Sequence, residues 1–249
     1  MFRLRFFNDL NVAKTVAIRL NHESIAMNLS VDTLNGVTLV GGGRYAKADL
    51  ERALLLAPVL VAADGGANGL CAAGRVPERV IGDLDSLDPA LRDRLGARVL
   101  HVPDQDSTDF DKCLSRISAP VIIGLGFDGA RLDHTLAAMT SLVWHGRARV
   151  VLLCAEDICF LAPPRISLDL DPGARVSLFP MAAVTGRSAG LHWPIEGLHF
   201  SPAETIGTSN HADQARVDLE FDRPGMLVLL ERDCLEQIVR RLPEGPDWL

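Results

Sequence analysis

Basic residues are in short supply: 25 Lys and Arg stand against 32 Asp and Glu, a net charge of −7 over 249 residues. With no surplus of cations to neutralise phosphates, general nucleic-acid binding is excluded. Cysteine is sparse as well. The five present (Cys71, Cys113, Cys154, Cys159 and Cys234) are odd in number and lack metal-ligand spacing, so they read as free thiols in a reducing cytoplasm. No apolar run is long enough to cross a membrane, so no membrane partner is expected. Internal repeats and low-complexity segments are absent. Residues 1–26 carry Arg3, Arg5, Lys14 and Arg19 against Asp9 and Glu23 and contain no long apolar block. A secretory signal is therefore not expected there. A poorly ordered extension, or a mis-assigned start ahead of Met27, is expected there.

What is present is a chain with 48% hydrophobic and 23% charged residues, ordinary for a soluble globular protein and long enough for one large or two modest cores. From residue 36 to about 153, β-rich runs at 36–40, 59–63, 80–81, 98–102, 121–125 and 149–154 alternate with helical patterns. These helices are expected at 48–56, 67–73, 89–95, 108–117 and 131–144. Such alternation predicts parallel strands with helical crossovers. Thr108 followed by Asp111 resembles a capping box, with Asp in place of Glu or Gln. Beyond about residue 163 helical periodicity nearly vanishes, and short β-like pieces recur at 175–179, 184–188, 198–201, 215–221 and 226–230. The expected fold is therefore α/β: an N-terminal open, mostly parallel sheet with flanking helices at 27–162. A smaller all-β sandwich follows at 163–249, with Pro163-Pro164 at the boundary.

Four successive apolar runs of the first part end in acid: at Asp64, at Asp83 with Asp85, at Asp104 and Asp106 with Asp109 and Asp111 beyond, and at Asp128 with Asp133 beyond. If the runs are neighbouring parallel strands, their carboxyl ends gather these carboxylates at the edge where open α/β sheets keep their ligand crevice. Repelling carboxylates are costly unless a cation or a proton-transfer duty offsets them. The pattern points to a divalent-metal site and to an enzyme.

Each motif has a plainer alternative. Gly41-Gly42-Gly43 can bring amides to a phosphate, yet it lacks a Rossmann or P-loop fingerprint and serves equally as a strand-to-helix turn. The turn 64–68, Asp-Gly-Gly-Ala-Asn, lets a ligand or a neighbouring backbone come close, or simply caps the next helix. In 82–86, Asp83 and Asp85 alternate, so extended geometry would point both the same way; a solvated acidic turn is the alternative. Segment 103–112 mixes acids that suit a helix N-terminus with Lys112, a cation able to pair with them or to hold phosphate. Arg131 suits bidentate phosphate contact, and Asp133 suits a ligand or base, unless the two form a surface charge pair. Among 190–194 and 208–211, Trp193 offers a face to a flat or cationic ring, and Ser209 and Asn210 offer hydrogen bonds. A core Trp and an ordinary turn explain the spacing as well.

Taken together and in order, Asp64–Asn68, Gly82–Ser86, Asp104–Leu114, Gly129–Asp133, Gly190–Trp193 and Thr208–Asn210 resemble the motifs of the thiamine pyrophosphokinase family. The resemblance runs from about Val37 to the last β segments. It implies a homodimer with thiamine bound between subunits, and Mg²⁺-dependent transfer of a diphosphate from ATP to the thiamine hydroxyl, releasing AMP. It further implies Asp83, Asp85 and Asp109 as metal ligands, and Asp64, Asp133, Lys112 and Arg131 as catalytic groups. Gln105, Asp106, Lys112 and Arg131 become nucleotide contacts, with Trp193 stacked on thiamine and Ser209 and Asn210 on its pyrimidine. Departures from the pattern are Asp111 where Thr is frequent, Ala130 where Gly is common, Ala138-Met139, and the His192 and His211 variations. They bear on substrate preference more than on reaction type.

Three competitors share parts of the pattern. A diphosphokinase for another small alcohol, such as a hydroxymethylpterin, would keep the acidic edge without the Trp193 and Asn210 pocket. A haloacid-dehalogenase-type phosphatase expects its Asp pair after the first strand. A non-catalytic thiamine sensor would lose acids that are all present here.

Overall fold

A computed structural model of the chain describes residues 30–129 and 131–248; the expectations for residues 1–26 and for Ala130 lie outside them. In chain order the elements are β1 (Val31–Asp32), β2 (Val37–Val40), α1 (Lys47–Leu56), β3 (Val59–Ala63), α2 (Gly66–Ala72), β4 (Arg79–Gly82), α3 (Pro89–Leu95), β5 (Val99–His101), α4 (Asp109–Leu114), β6 (Ile117–Ser118), β7 (Ile122–Leu125), α5 (Leu132–Trp144), β8 (Val150–Leu153) and β9 (Asp157–Leu161). Then follow β10 (Arg165–Asp169), β11 (Arg175–Pro180), β12 (Gly186–Ala189), β13 (Gly207–His211), β14 (Arg216–Phe221), β15 (Met226–Glu231) and α6 (Leu235–Arg241).

Strands β2, β3, β7 and β8 are almost wholly Val, Ile, Leu and Ala and are buried at every position, as strands covered on both faces must be. They sit inside a ten-stranded sheet of order β13-β11-β15-β9-β8-β7-β2-β3-β4-β5. From β8 to β5 the pairing is parallel; β9 pairs antiparallel with β8 and with β15. Alternate residues face opposite sides of the sheet. Val37 and Leu39 join one core with Phe110 of α4 and Leu142 of α5. Val40 joins the other, with Leu50 of α1, Leu70 of α2 and Leu91 of α3. That second core continues under the three-stranded antiparallel sheet β10-β14-β12, through Leu168, Val217 and Leu219, to Ile238 of α6.

Several boundaries differ from those read off the sequence. The helix expected over 108–117 stops at Leu114, because Ile117 leaves it to pair with Val31 in a small parallel ladder. The piece at 198–201 makes only an isolated bridge between Phe200 and Val184. Strands β9, β10 and β13 and helix α6 appear where none was expected.

Candidate active site

Asp64 follows β3, and Asp83 follows β4, its hydrogen-bonded parallel neighbour. Asp109 opens α4, whose preceding strand β5 flanks β4 on the other side. The carboxylates of Asp64, Asp83 and Asp109 each place an oxygen within 4.8 Å of the others. Gly82 makes this possible: a Cβ there would lie 2.7 Å from the Asp64 Cβ and 3.0 Å from Asp109 Oδ1. Gly66 does a different job in the neighbouring turn. A Cβ on it would meet the Val40 carbonyl oxygen at 2.2 Å, so α2 can start this close to β2 only with glycine.

Lys112, one turn into α4, stands amid the acids with 2% of its side chain exposed. Its Nζ donates to Asp83 Oδ2 at 2.7 Å and to Asp109 Oδ1 at 3.0 Å. Burial works against the ammonium charge, but the two carboxylates outweigh it and hold its pKa above the ordinary value. Burial likewise pushes Asp83 up, yet the Lys112 bond, the Asp85 amide and Gln105 bring it below the usual range. Gln105 Nε2 reaches Asp83 Oδ2 at 3.2 Å.

Asp64 lacks such help. It is 2% exposed, and Oδ2 accepts from the Ser86 amide at 3.1 Å. Its Oδ1 is buried without a hydrogen-bond partner among the described residues. Burial, with Asp109, Asp85 and Asp83 adding repulsion, pushes its pKa up to about 6 against the Ser86 bond. Its backbone sits at φ 41°, a region uncommon for non-glycine residues and concentrated at functional sites. An orphaned buried oxygen beside two further carboxylates fits a hard divalent cation, which takes oxygen ligands and tolerates few carboxylates when phosphates share it.

Asp85 stands outside the carboxylate group: Leu84 at φ 67° breaks the extended geometry that would have aligned it with Asp83, and its Oδ1 accepts from the Ser86 hydroxyl at 2.9 Å. Asp106 is exposed, its amide donating to Asp104 Oδ1 at 3.0 Å. Arg131 and Asp133, both exposed, form a bidentate pair with each other at 3.1 and 2.6 Å. Asp111 points away from the cluster: it completes the capping box with Thr108 and meets His145 Nε2 at 3.2 Å. Two amides of the glycine run are already engaged, Gly41 N with the Leu125 carbonyl and Gly43 N with that of Gly126.

Asn68, the last residue of the turn 64–68, ties the two acidic turns together. Its Nδ2 donates to the Ser86 carbonyl at 2.8 Å and its Oδ1 accepts from Asp88 N at 3.1 Å. Its partners lie 18 and 20 residues away in sequence, so the turn motif alone does not reveal these contacts.

In the β-rich part Trp193 is 56% exposed. Asn210 is buried and spends its amide on that segment: Oδ1 accepts from Trp193 N at 3.2 Å and from His211 N at 2.9 Å, and Nδ2 donates to the Trp193 carbonyl at 2.8 Å. Ser209 is exposed at φ 63°, its amide donating to Ser177 Oγ at 3.0 Å. A groove of about 420 Å³ on the three-stranded sheet, lined by Arg165, Arg187, Asp218 and Glu220, shares no residue with either place. All five cysteines are free. Among the described residues, no helix is long and apolar enough to cross a membrane.

Residues 50–152 match the family described as "Thiamin pyrophosphokinase, catalytic domain", and residues 165–226 match "Thiamin pyrophosphokinase, vitamin B1 binding domain". Thiamine pyrophosphokinase 1 of Oryza sativa subsp. japonica is 30% identical over 166 residues, spanning 59% of this chain and 63% of that protein. Thiamine pyrophosphokinase 1 of Arabidopsis thaliana is 28% identical over 225 residues, 73% of this chain and 84% of that protein. Among solved structures, the yeast thiamin pyrophosphokinase superposes with a TM-score of 0.67 at 17% identity, covering 90% of this chain and 92% of its own. The Geobacillus thermodenitrificans thiamin pyrophosphokinase superposes at 0.64 and 23% identity, covering 78% and 96%. At such identities the superpositions establish the fold. The two family matches, in order and over more than half of the sequence, establish more: the chain belongs to the thiamin pyrophosphokinase family.

Proposed function

We propose that this protein transfers the diphosphate group of ATP to the hydroxyl of thiamine, giving thiamine diphosphate and AMP. The observation that carries the reading is the group of buried Asp64 with half-buried Asp83 and Asp109, with buried Lys112 among them, in a chain of this family. Asp83 and Asp109 would hold Mg²⁺, which would offset the polyphosphate charge and orient it. Asp85 lies outside the set that the geometry favours. Lys112 holds Asp83 and Asp109 in register and would stabilise phosphate oxygens as charge shifts. Gln105 and Arg131 would meet the nucleotide, Arg131 by giving up its bidentate pairing with Asp133, with Asp106 at the rim.

The thiamine hydroxyl oxygen forms a bond to the β-phosphorus as the bond from that phosphorus to the α–β bridging oxygen breaks, the electron pair leaving with AMP. Such transfer depends on positioning and electrostatics. Arg131 holds the Asp133 carboxyl below the ordinary range, which makes it a poor acceptor for the hydroxyl proton. Asp64, at about 6, is better matched to neutral pH.

Trp193 would stack on thiamine, Ser209 would meet its pyrimidine, and Asn210 would act by fixing the Trp193 backbone. Within one chain these residues are remote from the acids. Strand β13 is one edge of the ten-stranded sheet and β3 is seven steps away, roughly 33 Å at about 4.8 Å per step. A homodimer that brings the β-rich part of one subunit to the acids of its partner resolves this separation. In that division of labour 27–162 serves nucleotide and metal and 163–249 serves thiamine, and the free thiols suit a cytoplasmic enzyme.

Incubation with ATP, Mg²⁺ and thiamine tests the reading: AMP and thiamine diphosphate are expected, whereas ADP with thiamine monophosphate would overturn it. Asp83→Asn or Asp109→Asn is expected to cut AMP release at least about a hundredfold with the circular dichroism spectrum unchanged. Asp85→Asn is expected to cost less.

A further inference from the structure

We propose that His192, His211 and Asp213 form a second metal site, for a borderline divalent ion such as Zn²⁺, beside the Trp193 ring. His192 Nδ1 lies 3.0 Å from Asp213 Oδ1, and His211 Nε2 lies 3.7 Å from the same oxygen. All three donor atoms fall within 4.8 Å of one another. A tetrahedral ion with bonds of about 2.0–2.2 Å holds its donors about 3.3 Å apart, so both distances to Asp213 lie within a few tenths of an ångström of the requirement. The 3.7 Å separation is too long for a hydrogen bond, and the His211 ring makes none among the described residues.

The donors stand on a stiff frame. His192 N donates to the His211 carbonyl at 2.9 Å and Asp213 N to that of Gly190 at 2.8 Å, around a Leu191–Ala212 bridge. The Asn210 amide locks the adjoining Trp193 backbone; the imidazoles, stacked with centroids 4.4 Å apart and planes at 19°, turn on binding so that both in-plane lone pairs meet the ion. Two imidazoles and one carboxylate, all partly exposed, leave an open coordination position, as in many zinc sites. The donor set also separates this place from Asp64, Asp83 and Asp109, whose all-oxygen character favours a harder ion.

His192 meets the Trp193 ring edge-on at 4.6 Å and His211 meets it at 5.2 Å. An ion held there adds positive charge beside that ring. Given the thiamine reading of Trp193, Zn²⁺ therefore weakens binding of the cationic substrate.

The test uses the full chain, freed of metal, titrated with Zn²⁺ by calorimetry and with Co²⁺ by visible absorption. One equivalent is expected with a Kd tighter than about 10 μM. It should weaken at least tenfold in His192→Gln, His211→Gln and Asp213→Asn, and persist in the double variant Asp83→Asn/Asp109→Asn. Three variants guard against one that fails to fold, with metal-free melting temperatures as the check. Binding lost in the double Asp variant but intact in the His variants would overturn the site, as would no binding by the parent chain. In turnover assays Zn²⁺ should raise the KM for thiamine in the parent and not in His211→Gln. An unchanged KM with binding intact would overturn the coupling alone, and failure of the thiamine reaction itself would leave the binding result standing.

Discussion

Asp64 is placed where its charge costs the fold something. A carboxyl moved from its ordinary 3.8 to about 6 holds its proton more tightly folded than unfolded. The stabilisation from that proton is therefore full below pH 3.8 and is lost as pH rises through about 6, a difference of roughly 3 kcal/mol by neutral pH. Asparagine removes the charge while keeping an oxygen for the Ser86 amide. The metal-free Asp64→Asn variant should thus be more stable than the parent at pH 7 by about 2–3 kcal/mol, with the gap closing as pH falls towards 4. It should also lose most of its diphosphate transfer, the exchange of stability for function expected of a strained site. Urea unfolding at pH 7 and pH 4 checks this, and a variant less stable than the parent at pH 7 would contradict it.

At the scale of elements, α4 carries both Asp109 and Lys112 in six residues, too few to hold themselves as a helix. Asp111 anchors it. Burial would raise that carboxyl, but His145, Ser141 and Thr108 outweigh burial and hold it at about 2. Its contribution is present above the ordinary 3.8 and is lost as pH falls through about 2. Asp111→Asn should cost about 1–2 kcal/mol at pH 7, with the loss shrinking towards pH 2.5; an equal loss at both would refute the charge argument. The capping box behind this was legible in the sequence, because Thr108 and Asp111 are local partners. So was α3, which Asp88 caps and Pro89 opens. The parallel strands were legible because burial on both faces demands unbroken apolar runs. Strand β13 was not, since Gly-Thr-Ser-Asn-His at a sheet edge carries no hydrophobic alternation and a single β-branched residue, and neither was the seven-residue α6. In the site, the gathering of Asp64, Asp83 and Asp109 could be read from strand ends. The place of Asp85 outside that threesome could not, because it depends on one backbone angle at Leu84, nor could the Asp111–His145 contact, which spans 34 positions.

The whole molecule poses a problem of distance that neither residues nor elements solve. One sheet carries Asp64 and Asp83 near one edge and the β-rich half at the other. The core under β10-β14-β12 is continuous with that under α1, α2 and α3, so the two halves cannot fold towards each other without breaking it. If Trp193 serves the acids of a second subunit, two defective chains should repair each other. A subunit with Trp193→Ala keeps good acids, and one with Asp83→Asn keeps a good ring. In a two-fold dimer of one of each, one site receives both intact parts and the other receives both defects. Random mixing makes half the dimers hybrids, so an equimolar, co-refolded mixture should recover about a quarter of the parent activity, although each variant alone is nearly inactive. Sites built within single chains would give no recovery whatever the mixing, and a chain that sediments as a monomer under assay conditions would remove the premise. Because recovery depends on subunit exchange, it should grow with the time allowed for co-refolding and then level off near that quarter, a ceiling set by symmetry rather than by the strength of either contact.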